Sequence, residues 1–363
     1  MKEFLRGFDL QLFADTATHT NVTTDTRSGA YDPVGANGLS AEMKTFYDMT
    51  LIDEASAALV HDQFGQKRPI PKNGGKTIEF RKFSALPKAT TPLTEGVTPV
   101  GKRLDVTAVT ATVSQYGDYI QQSDVLELTA LDNTILEATK LLGRQAGVTL
   151  DTVTRNILVG GTNVSYCSKV AASVETAVTS RSGLDTSAKL TVKTVQKVVA
   201  KLRGQNAPPI GGKYVAIIHP YVAYDLMRDP EWIDAHKYAT PENLYAGEIG
   251  EIGGVRFVET TEAKVWNDST CPVKTAASGE TPATYHSVFA TLFLGEGAYG
   301  VTEITGGGLQ TIVKQKGSAG TSDPLDQRST VGWKATKTAE LLVPNYIVRV
   351  ESCSPDYDTT AAN

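Results

Sequence analysis

The chain has 363 residues, 40% hydrophobic and 21% charged, with 32 Gly and 16 Pro, enough for two or three domains and too much apolar content for a disordered tail. Lys and Arg total 35 against 40 Asp and Glu, a net charge of -5, so the overall basic footprint of a nucleic-acid binder is missing. No stretch reaches the run of about 18 apolar residues that a membrane-spanning helix requires.

Lys2, Glu3, Arg6 and Asp9 interrupt the apolar positions of residues 1–13, which breaks the core a secretion signal needs and points to a cytoplasmic origin. The sequons at Asn21, Asn163 and Asn267 are therefore set aside as glycosylation sites. From Ala14 to Ser40 the composition is Thr, Asn, Asp, Gly and Ala; such a segment cannot order itself by burial and reads as an arm that something else must hold. Ser40 then caps an expected helix in which Met43, Phe46, Tyr47, Leu51 and Ala55 recur at helical spacing up to about Val60, before Pro69 and Pro71.

Alternation of Ile78 and Phe80 against Thr77, Glu79 and Arg81 predicts a strand over 76–83, and the β-branched run Val106 to Val113 predicts its return. Between them lie Pro87, Pro92, Gly96, Pro99 and Gly101, turn and edge residues, so 72–118 is expected to be one long hairpin with a loose end. Arms of ~10 residues reach about 35 Å from the base at ~3.3 Å per residue, and an isolated ribbon is marginal in water. Residues 67–103 hold nine basic side chains against Glu79 and Glu95, a local charge of +7 that leaves -12 for the remainder. A basic hairpin on an acidic body suggests self-complementary association, with Lys76, Arg81, Lys82, Lys88, Lys102 and Arg103 as candidate intersubunit contacts. The competing reading is a solvated hairpin whose lysines block edge pairing.

Leu128, Leu131, Ile135, Ala138, Leu142, Ala146, Leu150, Val153 and Ile157 predict a spine helix of about 30 residues behind Ser123, stopped by Gly160-Gly161, with Gly143 and Gly147 as kinks or close contacts. Thr191 caps a helix with Val192, Val195, Val199 and Leu202 inward. A strand at Tyr214–Ile218, a short helix opened by His219-Pro220 and a strand at Val255–Val258 complete an α/β region. Residues 267–284 read as a surface insertion. Strands are expected at Phe289–Leu294, Tyr299–Ile304, Leu309–Val313, Thr330–Leu342 and Ile347–Glu351.

Gly295-Glu296-Gly297-Ala298-Tyr299-Gly300 matches a dinucleotide fingerprint after a strand, but Val301, Thr302 and Ile304 continue as strand where a helix is required, so a hairpin turn is expected. Asn73-Gly74-Gly75-Lys76-Thr77 lacks the first glycine of a phosphate loop, the position being Ile70. Five histidines without an i, i+4 pair and scattered carboxylates predict no metal site. Cys167, Cys271 and Cys353, with no C-x-x-C, suggest neither disulfides nor zinc and fit a reducing compartment. No nucleophile elbow is present, and His219 reads as a capping residue. Catalytic, cofactor and metal residues are accordingly expected to be none.

The order of arm, helix, basic hairpin, spine helix, α/β region and returning strands resembles the major capsid proteins of tailed bacteriophages with the Hong Kong 97-like α+β fold. The segments Phe64 to Thr77, Val113 to Tyr119, His219-Pro220 and Gly332-Trp333-Lys334 are similar to the branch related to the phage N4 capsid protein, and Leu10-Gln11-Leu12-Phe13-Ala14 to capsid openings in phages of low-GC Gram-positive hosts. The resemblance implies an N-terminal arm (1–45), a peripheral domain (46–71, 119–184 with the spine helix, and 300–363), an extended hairpin loop (72–118) lying over a neighbouring subunit, and an axial domain (185–299). It also implies self-assembly into hexamers and pentamers of an icosahedral shell around double-stranded DNA, without catalysis or sequence-specific binding. A separate scaffolding protein, a portal and a decoration protein are the implied partners. No cleaved domain and no Lys to Asn cross-link is expected, and assembly would take place in the host bacterial cytoplasm. The alternatives are an encapsulin-like cellular compartment and an NAD-binding enzyme built on Gly295 to Gly300.

Overall fold

The computed structural model describes residues 20–21, 60–129, 134–236, 250–274, 285–314 and 323–363, apart from positions 84, 85, 87, 99, 172, 173 and 306. The helix expected to follow Ser40, and the arm except for Thr20 and Asn21, lie outside the described residues. Those two form β1 (Thr20–Asn21), and β2 (Gln66–Lys67) follows. The expected ribbon is β3 (Thr77–Phe83) and β4 (Val106–Thr112), antiparallel from Thr77 opposite Thr112 to Phe83 opposite Val106. After β5 (Ser114–Ser123), the Ser123 hydroxyl accepts from the Leu126 N–H at 3.3 Å and caps α1 (Asp124–Thr129).

The described part of the expected spine comprises α1 and α2 (Thr134–Val159), the residues between them lying outside the described ones. Helix α2 continues through Gly143 and Gly147, and a Cβ at Gly143 would meet nothing within 4 Å, so no close contact explains that glycine. At its end the Gly160 N–H turns back onto the Asn156 and Ile157 carbonyls at 3.2 and 3.1 Å.

Strands β6 (Val164–Tyr166), β7 (Lys169–Ala171) and β8 (Val174–Thr176) lead to α3 (Val192–Gly204), capped by the Thr191 hydroxyl on the Thr194 N–H at 3.3 Å. Then come β9 (Tyr214–Ile218), α4 (Pro220–Met227), α5 (Pro230–His236), β10 (Glu251–Ile252), β11 (Val255–Glu259), β12 (Val265–Trp266) and β13 (Val288–Leu294). The chain finishes with β14 (Tyr299–Thr302), β15 (Gln310–Lys314), β16 (Arg328–Leu341) and β17 (Ile347–Cys353).

The chain divides into two units, one of residues 57–114, 148–306 and 337–363, the other of 1–56, 115–147 and 307–336. In the larger unit a mixed sheet runs β10-β11-β9-β13-β17-β6, with β12 beside β13. Every residue of β13 is buried. Its side chains alternate between two cores: Phe289 and Phe293 join Ala216, Ile218, Val195, Leu202 and Leu226, whereas Ala290, Leu292 and Leu294 join Ile217, Leu158 and Val159. Burial on both faces is why the strand reads as an unbroken apolar run instead of an alternating one.

The charged side chains buried in this unit include one on β17. Glu351 on β17 is fully buried and takes both arms of Arg181, Nε to Oε2 and a terminal nitrogen to Oε1, each at 2.8 Å, while the Arg181 guanidinium stacks 3.7 Å from the Trp266 ring centroid. Arg349 Nε stands 2.9 Å from Glu351 Oε1. Of the surface insertion expected over 267–284, the described part has Asp268, Ser269, Thr270 and Val273 exposed, while Cys271 is buried and the Asn267 amide donates to the Thr360 carbonyl at 3.1 Å.

In the smaller unit β5, β15 and β16 pair, β15 being antiparallel to β16 with Gln310 opposite Lys334. Glycines set the closest approach of β5 and β16. A Cβ at Gly117 would sit 2.6 Å from the Trp333 carbonyl, and one at Gly332 would sit 2.8 Å from the Tyr119 Cβ. The Trp333 indole donates to Gln145 Oε1 at 3.3 Å, and the Gln145 amide donates to Asp118 Oδ2 at 2.7 Å. Two of the segments that carry the family resemblance, Val113 to Tyr119 and Gly332 to Lys334, thus meet at this crossing.

Candidate assembly surface

The ribbon of β3 and β4 is built from alternating side chains whose two faces have different fates. Ile78, Phe80, Val109 and Ala111 share one face by register, and Phe80 and Ala111 on it are buried. Glu79 and Arg81 share the other and are exposed. The turn that feeds the ribbon uses Asn73 at φ 67 and Gly75 at φ 88, with the Gly74 N–H donating to the Pro71 carbonyl at 2.9 Å. The motif that ends like a phosphate loop is therefore a turn before a strand.

Lys76 stands exposed at the ribbon base, Arg81 and Lys82 lie in β3, and Lys88, Lys102 and Arg103 are exposed beyond the paired strands. Arg81 Nε lies 3.0 Å from Glu79 Oε1 and Arg103 Nε 3.8 Å from Asp105 Oδ1, both pairs being well exposed and so of little value to stability.

The more telling feature is apolar, and the sequence reading passed over it. Leu86, Leu93, Val97, Val100 and Leu104 are all exposed in the loop between β3 and β4, Leu93 at 79% and Val100 at 94%. The Val97 N–H closes a turn onto the Thr94 carbonyl at 3.2 Å, with Gly96 at φ 77. Apolar side chains in a Pro- and Gly-rich loop have no period to betray them, and their signal was their presence where a solvated tip would carry polar residues. Scattered single apolar residues on a surface need no explanation, but these five fall within residues 86–104 of one loop.

The dinucleotide-like motif is the turn from β13 into β14, and each of its glycines has a local cause. A Cβ at Gly295 would approach the Pro208 carbonyl to 3.0 Å, Gly297 has φ 69, and a Cβ at Gly300 would lie 2.8 Å from the Phe80 ring. Strand β14 follows, so no helix N-terminus faces the glycines as pyrophosphate binding requires. His219 caps α4, its Nδ1 accepting from the Tyr221 N–H at 3.2 Å, and burial pulls its pKa down from 6.5 to about 4. His61 Nδ1 lies 2.6 Å from Asp151 Oδ2, and the His61 backbone N–H donates to Asp151 Oδ1 at 2.9 Å. Asp62 accepts from Thr154 and pairs with Lys337. His61 and Asp151 are both buried, and the pair fastens residue 61 to α2.

All three cysteines are free and buried; burial pushes the Cys353 thiol up to about 12 and raises those of Cys167 and Cys271. Among the described residues no group of three or more His, Cys, Asp or Glu could hold a metal ion, and no helix is long and apolar enough to cross a membrane.

Comparison with known proteins places this architecture. No curated protein matches the chain. Among solved structures, the capsid of cyanophage P-SCSP1u superposes with a TM-score of 0.62 at 14% identity, covering 91% of this chain and 99% of that one. The capsid of Ralstonia phage GP4 gives 0.60 at 13% identity, covering 83% and 90%, and the acid-stable capsid of Helicobacter pylori bacteriophage KHP30 gives 0.56 at 13%, covering 79% and 87%. These likenesses establish the Hong Kong 97-like capsid fold. The family described as phage capsid protein matches residues 127–318, just over half of the chain, and with the fold that its sheets and helices adopt, the chain belongs to the phage capsid protein family.

Proposed function

We propose that this protein is the shell-forming subunit of a tailed phage head and that the hairpin of β3 and β4 lies on a neighbouring copy. The observation that carries this is that Leu86, Leu93, Val97, Val100 and Leu104 are exposed in one loop, in a stretch of chain that also holds exposed Lys76, Arg81, Lys88, Lys102 and Arg103. Apolar surface of this kind gains about 25 cal/mol per Å² when it leaves water, and a subunit interface supplies that exit. Lys82, on the same strand, belongs to the proposed contact set.

In this reading the copies close into hexamers and pentamers of an icosahedral shell, residues 185–299 forming the axial domain and 46–71, 119–184 and 300–363 the peripheral one. The protein works by association, not catalysis. A separate scaffolding protein directs assembly in the bacterial cytoplasm, a portal and a decoration protein join the head, and the branch is the N4-like one suggested by Phe64 to Thr77. The acidic body encloses double-stranded DNA without reading its sequence.

Shortening the hairpin by removing residues 86–104 tests the proposal. The shortened subunit should unfold like the parent yet yield no shells in electron micrographs. Normal shells from it would refute the hairpin's role. Native particles that hold enzyme cargo and no DNA would favour the encapsulin-like alternative.

A further inference from the structure

Phe80 and Gly300 form a fitted pair at the base of the hairpin. The Phe80 side chain is 4% exposed although Glu79 and Arg81 on either side are exposed, and its ring occupies the space a Cβ at Gly300 would need, with ring atoms Cε1 and Cζ both 2.8 Å from that position. Gly300 shows no left-handed backbone, so space and not conformation requires glycine there. The seat is itself held on both sides. Gly300 is opposite Glu340 of β16 and beside Gln66 of β2, and the neighbouring Tyr299 hydroxyl donates to the His61 carbonyl at 2.5 Å. Gly65 is bare for the same kind of reason, since a Cβ there would stand 2.6 Å from the Tyr299 ring.

A ribbon of two strands has little stability of its own. Its paired strands run from 77 to 83 and from 106 to 112, and within them Phe80 is the one large side chain described as buried. We infer that the Phe80 ring, seated on Gly300, is the positioning contact that fixes the direction in which the hairpin leaves the body, so that a subunit without this seat folds but presents its hairpin unproductively. The inference rests on the proposed role of the hairpin in assembly. It also absorbs the last glycine of the dinucleotide-like motif, which here receives an aromatic ring in place of a phosphate.

The test uses the full chain under conditions in which the parent forms shells, with amide hydrogen exchange read on the unassembled subunit. Gly300→Ala should displace the ring, speed exchange across Thr77–Phe83 and Val106–Thr112 at least tenfold, leave exchange in Val288–Leu294 unchanged, and cut shell yield at least tenfold. Phe80→Ala should do the same. The double variant Phe80→Val, Gly300→Ala, in which a smaller side chain meets the added methyl, should restore exchange to within about threefold of the parent and recover shells. Parent-like exchange in both single variants, or a double variant no better than Gly300→Ala, would overturn the inference. If a single variant fails to fold, Phe80→Leu supplies the same exchange comparison with an apolar side chain still in the seat. Because exchange is read before assembly, failure of the seat is distinguishable from failure of the hairpin's proposed role, which removal of residues 86–104 tests alone.

Discussion

At His219 the fold keeps an imidazole neutral so that its Nδ1 can accept a backbone N–H. Its pKa falls from 6.5 to about 4 through burial, so between those values the unfolded chain binds the proton and the folded chain does not. The stability it contributes is therefore fully present above pH 6.5 and lost as pH falls toward 4. Thermal unfolding of the unassembled subunit should show this slope, and His219→Asn, which keeps a capping acceptor, should flatten it; an unchanged slope would remove His219 as its source. Glu351 makes the opposite case, a buried charge that needs its partners. Glu351→Gln leaves Arg181 and Arg349 short of countercharge and should cost about 3 kcal/mol, the lower end for breaking a buried pair, measured by denaturant unfolding. Capping by His219 was legible from the His-Pro step at a strand end. The pairing of Glu351 with Arg181 was not, because a strand pattern says nothing of a partner 170 residues away.

Elements whose environment is uniform along their length were read most closely from the sequence. Strand β9 falls on the expected Tyr214–Ile218, α4 on the short helix after His219, and β13 within one residue of the expected start, since an apolar run bounded by turns has few other solutions. The helical period of Ile135, Ala138, Leu142, Ala146, Leu150, Val153 and Ile157 likewise falls within α2. The exposed apolar residues of the hairpin loop escaped because periodicity arguments look for what is buried. These two classes of apolar residue separate by experiment. Phe293→Ala, in the fully buried β13, should cost about 3 to 5 kcal/mol by transfer and cavity terms. Combined Leu93→Ala, Val97→Ala and Val100→Ala should move stability by no more than about 0.5 kcal/mol, as exposed substitutions do, and still abolish shells. Loss of stability in the triple variant would mean the loop packs on its own body.

Over the whole molecule the charge is divided, +7 within residues 67–103 against -12 elsewhere. Attraction between such regions on different copies acts through exposed groups and is screened over about 8 Å at physiological ionic strength. Assembly followed by light scattering should slow as salt rises from about 0.05 to 0.5 M, because charge complementarity acts mainly on association rate. A salt-independent rate would favour the reading in which the lysines merely guard a solvated edge. The division also bears on DNA, for which the purified subunit should show only weak, salt-sensitive affinity. The central claim is tested most directly by the particle mass of the native protein, produced with the proposed scaffolding protein and measured by light scattering with micrographs of the same fraction. Closed shells of megadalton mass are expected; a monomer or dimer under those conditions would contradict the assignment of this chain as the subunit that builds the head.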